Sequence, residues 1–337
     1  MSTSANTGLR RLLALLLVCL TLLVTGCSAG QNANQHQSSS ADSEASSQET
    51  KTVETAFGPV DIPLSPERIV ALEGAIGPLL HAGKTPVATA DANKVDSLLE
   101  EEAQAVQDLP LILGSDGWDY EKIAAENPDL LIGFVRSGKG QTISDQAKQE
   151  YERLSKIAPT VFILSKGGAS TKEATLQISE ILGDAEAAKE SKEKYEAKAA
   201  AIKEKYATVL EKNTFAALDY FEGTTTVYTP VSWIGGILTD AGAHLAQPAA
   251  GVSDTNGVDL SSEELSQLKG ATVILTEKTV AGEAGLGAQE LAQVPTYQSL
   301  APVKEGHAYG VSYFFADRYE TGLLVLNQLE EILQSLS

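Results

Sequence analysis

Cysteine is nearly absent from this 337-residue chain: Cys19 and Cys27 are the only two, both within the first 27 residues. No disulfide can hold the remainder together, so its stability must come from a hydrophobic core. Methionine occurs once, at the start, and histidine four times, at His36, His81, His244 and His307. His36 sits in a polar stretch, His81 in a helical run before Ala82-Gly83, His244 after Ala241-Gly242-Ala243, and His307 just before a strand. Such scattered positions make no coherent site for a bare metal ion. Aromatic residues are only 6% of the chain, and 25 Lys and Arg face 45 Asp and Glu, a formal charge of −20. That balance excludes nucleic acid as a partner and excludes binding to an anionic membrane surface through basic patches. There is no Gly-x-Ser-x-Gly elbow, no His-Glu-x-x-His and no pair of carboxylates in matching loops. Ser232 or Ser312 would act as a nucleophile only with a base that the sequence does not locate, so a surface hydrolase is a distant alternative and an enzyme is not expected. The Leu-rich run Leu12–Leu23 has twelve residues, too few to span a bilayer as a helix.

What the N-terminus does contain is ordered. Arg10 and Arg11 precede the apolar run, and Leu23-Val24-Thr25-Gly26-Cys27 follows it. This is the layout of a secretory signal, and the cysteine after Thr-Gly resembles the bacterial lipobox. The resemblance implies a signal peptide over 1–26, cleavage before Cys27, and a diacylglycerol on its sulfur; the alternative is an ordinary signal with a chance cysteine. Each buried CH₂ adds roughly 0.8 kcal/mol, so a two- or three-chain lipid anchors firmly. Residues 1–26 carry two arginines and no acid, so their removal takes the formal charge to −22. The stretch 28–50 is rich in Ser, Gln and Asn and buries too little to fold. It reads as a tether over 27–51 between lipid and domain.

Short β-rich runs then alternate with amphipathic ones. Strands are expected at Ile69–Leu72, Val87–Thr89, Leu130–Gly133, Val161–Leu164, Phe215–Leu218, Thr226–Thr229, Val273–Thr276 and Ala308–Val311. Helices are expected at Asp119–Glu126 and Gln146–Ile157. The alternation predicts an α/β fold with largely parallel sheets. Residues 184–212 hold no Pro or Gly and place Tyr195, Ala199, Ile202, Tyr206 and Val209 on one helix face. Such a helix would span roughly 42 Å, long enough to join two lobes; the alternative is a long surface helix inside one domain. The halves also echo one another. Asp119–Gly133 aligns with Ser261–Leu275, and Ile69–Gly83 with Thr226–Gly242 when gaps are allowed. The expected division is an N-terminal lobe at 52–183, a linking helix at 184–212 and a C-terminal lobe at 213–337.

Several segments in this order resemble one family. They are Pro66-Glu67-Arg68-Ile69-Val70-Ala71-Leu72, Tyr120-Glu121-Lys122-Ile123-Ala124 with Asn127-Pro128-Asp129-Leu130-Leu131-Ile132, and Tyr151 through Val161. Beyond the long helix come Ile234-Gly235-Gly236-Ile237-Leu238 and Val303-Lys304-Glu305-Gly306-His307-Ala308-Tyr309. The chain resembles the substrate-binding lipoproteins of ABC importers for ferric siderophores, haem and cobalamin. The stretch Arg153-Leu154-Ser155-Lys156-Ile157-Ala158-Pro159-Thr160-Val161 leans towards the siderophore branch. The resemblance implies two Rossmann-like lobes joined by a single long helix, the helical-backbone periplasmic-binding-protein fold. It implies a monomer that captures a ferric siderophore and delivers it to an ABC permease, with haem or cobalamin as the alternative ligand. It implies no cofactor and no direct metal ligand, because iron would arrive chelated. The location would be the outer face of a cell membrane, in an envelope of Gram-positive type.

Ligands of open parallel sheets lie beyond the carboxyl ends of the strands. The mature chain has four arginines, Arg68, Arg136, Arg153 and Arg318, and two of them, Arg136 and Arg318, fall past strand ends in opposite halves. They are expected to converge on an oxygen-rich ligand, with Lys139 as a weaker third donor. Tyr228, Trp233, Tyr313 and Tyr319 are expected to offer flat apolar surface, and so is one of Phe314 and Phe315, the other pointing inward. Trp118 either lines the rim or packs within a lobe. Glu73 either contacts ligand or is an acid presented to the permease; Asp240, Glu263 and Glu264 are its possible counterparts in the second half.

Overall fold

A computed structural model describes residues 49–91, 94–137, 142–315 and 317–337. Cys27, the segment 1–26, nearly all of the tether and Lys139 lie outside the described residues. The described residues form one compact unit. No helix among the described residues is long and apolar enough to cross a membrane.

Order begins earlier than the sequence suggested. A hairpin of Thr50–Thr55 and Gly58–Pro63 opens the fold, so the chain is already in a strand at Thr50. Behind it lies a four-stranded sheet in the order Ala88–Thr89, Ile69–Ala71, Leu130–Arg136, Thr160–Ser165. All its pairings are parallel. Parallel sheets need cover on both faces, and the apolar runs supply it. Ile69, Ala71, Leu130, Ile132 and Phe134 pack into a core on one side, while Val70, Leu72, Leu131 and Val135 pack on the other.

The second sheet has six strands and is mixed. Its main path runs Gly257–Ser261, Thr224–Tyr228, Thr214–Phe221, Val273–Glu277, Ala308–Val311. The last three are parallel to one another, but Thr224–Tyr228 runs antiparallel to both its neighbours. The expectation of largely parallel sheets thus holds for the first sheet and fails for this edge. The cause is local. Glu222 and Gly223 both have positive φ, +47° and +88°, the signature of a two-residue type I′ turn, which can only join antiparallel strands.

The chain passes from one sheet to the other once, through Thr171–Leu182, Ala185–Lys205 and Ala207–Lys212. The single helix expected over 184–212 is interrupted at Tyr206, whose φ of −109° and ψ of 21° leave the helical region. The unbroken 21-residue part spans roughly 32 Å. It buries Ala188, Tyr195, Ala199 and Ile202 and packs on the closing helix Tyr319–Ser335. There Gly322 lies against the Tyr195 ring, where a larger residue would crowd it.

Candidate functional site

Several loops at the carboxyl ends of strands meet between the two sheets and enclose a cavity of about 450 Å³. That is ample for a compact chelate. Glu73 and Gly74 follow Ile69–Ala71, Asp91 follows Ala88–Thr89, and Arg136 ends Leu130–Arg136; these come from the first sheet. Tyr228 ends Thr224–Tyr228, Glu277 ends Val273–Glu277, and Phe314, Phe315 and Asp317 follow Ala308–Val311; these come from the second. Ser232 caps the helix Trp233–Asp240 by accepting from the Gly235 N–H at 3.0 Å, and this cap brings Trp233 to the cavity wall.

Gly74 shapes the first wall. Its φ is +74°, and any Cβ there would overlap the Phe134 ring. The turn therefore lies flat on Phe134, and its N–H reaches Asp91 Oδ1 at 3.2 Å. Arg136 Nε donates to Glu73 Oε1 at 2.7 Å, with both side chains nearly half exposed. The guanidinium also lies 5.9 Å from the centroid of Phe134. Opposite them stands an aromatic wall. Tyr228 meets Phe314 and Phe315 edge-on at 5.6 and 5.9 Å, and those two meet each other at 5.1 Å. Phe314 is fully buried and supports Phe315, which is 45% exposed.

Of the residues that the sequence placed at a ligand, Arg136, Tyr228, Trp233 and Glu73 line this cavity. Arg318 does not. It is 3% exposed, its guanidinium crosses to the first lobe and ion-pairs with Glu102, and Asp317 and Glu320 lie 3.7 and 3.6 Å away. It occupies the space left by the missing side chain of Gly77. Burial opposes its charge, but Asp317, Glu102 and Glu320 outweigh burial and hold the guanidinium charged. The two-arginine clamp is therefore replaced by one cleft arginine and one arginine that ties the lobes together. Tyr319 also turns away. It is 5% exposed, stacks edge-on with Tyr195 at 5.3 Å, and its hydroxyl donates to Glu173. Tyr313 has a positive φ of +59° and packs against the core of the second lobe, and its carbonyl accepts from Trp233 Nε1 at 3.1 Å. Trp118 packs on the core of the first lobe. Asp240 accepts from the Tyr195 hydroxyl at 2.6 Å and lies 3.3 Å from the buried Lys172 ammonium. Glu263 and Glu264 are exposed, and Glu264 accepts from the Ser261 N–H at 3.0 Å. His81 sits between Asp184 at 2.6 Å and Glu320 at 3.3 Å.

Apart from Glu73, the acids of the cleft escaped the sequence analysis. Asp91 is pushed up to about 6, by burial first and by Glu73 in addition, against the Gly74 and Ile76 N–H groups and Arg136. Asp317 is pushed up to about 7 by burial, with Asp91, Glu102 and Glu320 adding and Arg318 opposing. Glu277 is raised by burial, then by Asp219 and Asp96. Asp91 was legible, since the strand-end rule applied after Val87–Thr89 points to it. Among the described residues no group of three or more His, Cys, Asp or Glu is placed to hold a metal ion.

A family model for periplasmic binding proteins matches residues 69–312, a span that takes in strands of both sheets. YhfQ of Bacillus subtilis, a putative ABC transporter substrate-binding lipoprotein, is 27% identical over 314 residues, covering 90% of each chain. YxeB of the same organism, an iron(3+)-hydroxamate-binding protein, is 28% identical over 213 residues, which are 63% of this chain and 59% of that one. Among solved structures, the siderophore periplasmic binding protein from the fuscachelin gene cluster of Thermobifida fusca aligns with a TM-score of 0.72 at 31% identity. The alignment covers 81% of this chain and 98% of that one. With the family model spanning both sheets and the cavity lying between them, the chain belongs to the periplasmic binding protein family.

Proposed function

We propose that the protein captures a ferric siderophore between its lobes and hands it to an ABC permease, while a lipid on Cys27 keeps it at the membrane. The observation that carries this is the cavity itself: an aromatic wall of Tyr228, Trp233 and Phe315 faces a guanidinium, Arg136, across a space of chelate size. Flat apolar surface with a few fixed donors is what a bulky, partly apolar chelate requires. Relatives described as binding iron(3+) hydroxamate and siderophore support the ligand class. The description of a relative as a lipoprotein supports the anchor. Iron is cargo here and comes with its own ligands; no bond is made or broken.

Arg136 is available at little cost. Its pair with Glu73 is nearly half exposed, and exposed pairs contribute only about 0–1 kcal/mol. A chelate oxygen can therefore displace the Glu73 carboxylate from the fork. Because Glu73 lines the cavity, it is assigned to the ligand side, and the exposed Glu263 is the better candidate for meeting the permease.

The test is uptake. A strain lacking this chain should fail to accumulate radiolabelled iron from at least one ferric siderophore and recover when the chain is restored. Unchanged uptake of every ferric siderophore, with loss of haem or cobalamin uptake, would overturn the proposal in favour of those ligands.

A further inference from the structure

The cavity is lopsided in charge. Glu73, Asp91, Asp96, Glu277 and Asp317 line it, and Arg136 is the single basic residue among the described ones that do. Arg136 is already engaged by Glu73, and the nearby Arg318 by Glu102. The acids are not merely a solvated cluster. Asp91 Oδ2 is buried with no hydrogen-bond partner, while Asp317 Oδ1, buried too, lies 3.7 Å from Arg318 Nη1 without a hydrogen bond to it. The two residues come from opposite lobes, each from a loop beyond a strand's carboxyl end, and the Asp91 charge disfavours that of Asp317.

We propose that this acidic face recognises a cationic group, an ammonium or guanidinium, carried on the ferric chelate, with Asp91 and Asp317 as the specificity-determining residues. The inference rests on the siderophore proposal above and narrows it to a class of chelate. A buried carboxylate oxygen without a partner is unfavourable unless it gains a donor. A cation offers both the missing hydrogen bonds and the opposing charge. An anionic group at the same place would face several carboxylates, whereas the aromatic wall accommodates the uncharged part of the chelate. The groups around Asp91 are Glu73, Arg136 and the Gly74 and Ile76 N–H groups; those around Asp317 are Arg318, Asp91, Glu102 and Glu320. Burial makes both acids hold protons more tightly than usual, so a cation must displace those protons. Its affinity should rise between about pH 5 and pH 8.

The experiment uses the mature protein and matched ferric chelates followed by tryptophan fluorescence. One pair is a linear trihydroxamate ending in a primary amine and the same chelator N-acetylated. The second is a tris-catecholate with and without the same acetylation of a free amine. The amine form of whichever chelate binds should bind at least about tenfold tighter near pH 8. The preference should shrink near pH 5 and in Asp91→Asn with Asp317→Asn. Asp91→Asn alone, whose carboxamide keeps an acceptor for the Gly74 N–H, carries the test if the double variant does not fold. Equal affinity for both members of each pair that binds would overturn the cation site and leave siderophore capture standing. Binding of no ferric chelate would overturn both.

Discussion

Arg136 and Arg318 occupy similar places in the sequence, each just past a strand in its own half, yet their surroundings differ entirely. The partners of Arg318 explain why: Glu102 lies 216 positions away, and the vacancy that admits the guanidinium is the missing side chain of Gly77. Neither is visible to an argument built on local spacing. The two substitutions should separate cleanly. Arg318→Ala leaves buried acids unpaired and should cost about 3–5 kcal/mol in urea unfolding. Arg136→Ala should cost less than about 1 kcal/mol of stability but weaken an oxygen-rich ligand by about tenfold, as read by titration. Asp91 gives a stability effect of opposite sign. Its folded value of about 6 lies above the unfolded one, so between the two the folded state holds more protons and stability falls as pH rises. The loss across that window is on the order of 2–3 kcal/mol. Asp91→Asn should therefore be more stable than the parent at neutral pH, with the gain vanishing near about pH 4. A constant difference across pH, measured by urea unfolding, would contradict this.

All eight expected strands are present, because short runs rich in β-branched and apolar residues between turn-forming stretches mark strands whatever their direction. Direction itself was not legible. The antiparallel edge depends on Glu222-Gly223 adopting two positive φ angles, and Glu-Gly is a weaker hairpin signal than Asn-Gly or Asp-Gly. The long helix was legible as a face but not as a length: Tyr206 continues the apolar spacing, is buried, and still breaks the helix. The echo between Ile69–Gly83 and Thr226–Gly242 is real as strand, loop and helix. It is not a repeated unit, since one strand is parallel to its neighbours and the other antiparallel. The turn after Ile69–Ala71 is where an element meets the site. Gly74→Ala would combine a positive φ with overlap of Phe134 and should cost roughly 2–4 kcal/mol in thermal or urea unfolding. It should also weaken ligand binding, because the Glu73 and Asp91 walls hang on that turn.

Across the whole molecule, the lobes touch through groups of very different kinds. Arg318 pairs with Glu102, the Gly168 N–H donates to Asn256 Oδ1 at 2.9 Å, and the Ala169 N–H donates to the Val231 carbonyl at 2.9 Å. With a single helical passage between the sheets, these bridges leave little freedom for hinging. Ligand binding should move the lobes by well under the roughly 2 Å that marks a large rearrangement, so the radius of gyration in solution scattering should stay unchanged. The two tryptophans make the central claim directly measurable, because Trp233 lines the cavity and Trp118 packs inside the first lobe. In a Trp118→Phe variant, fluorescence reports on the cleft alone. Titration with a panel of ferric siderophores, haem and cobalamin should show saturable quenching by at least one ferric siderophore. No quenching by any siderophore, with tight binding of haem or cobalamin, would contradict the account.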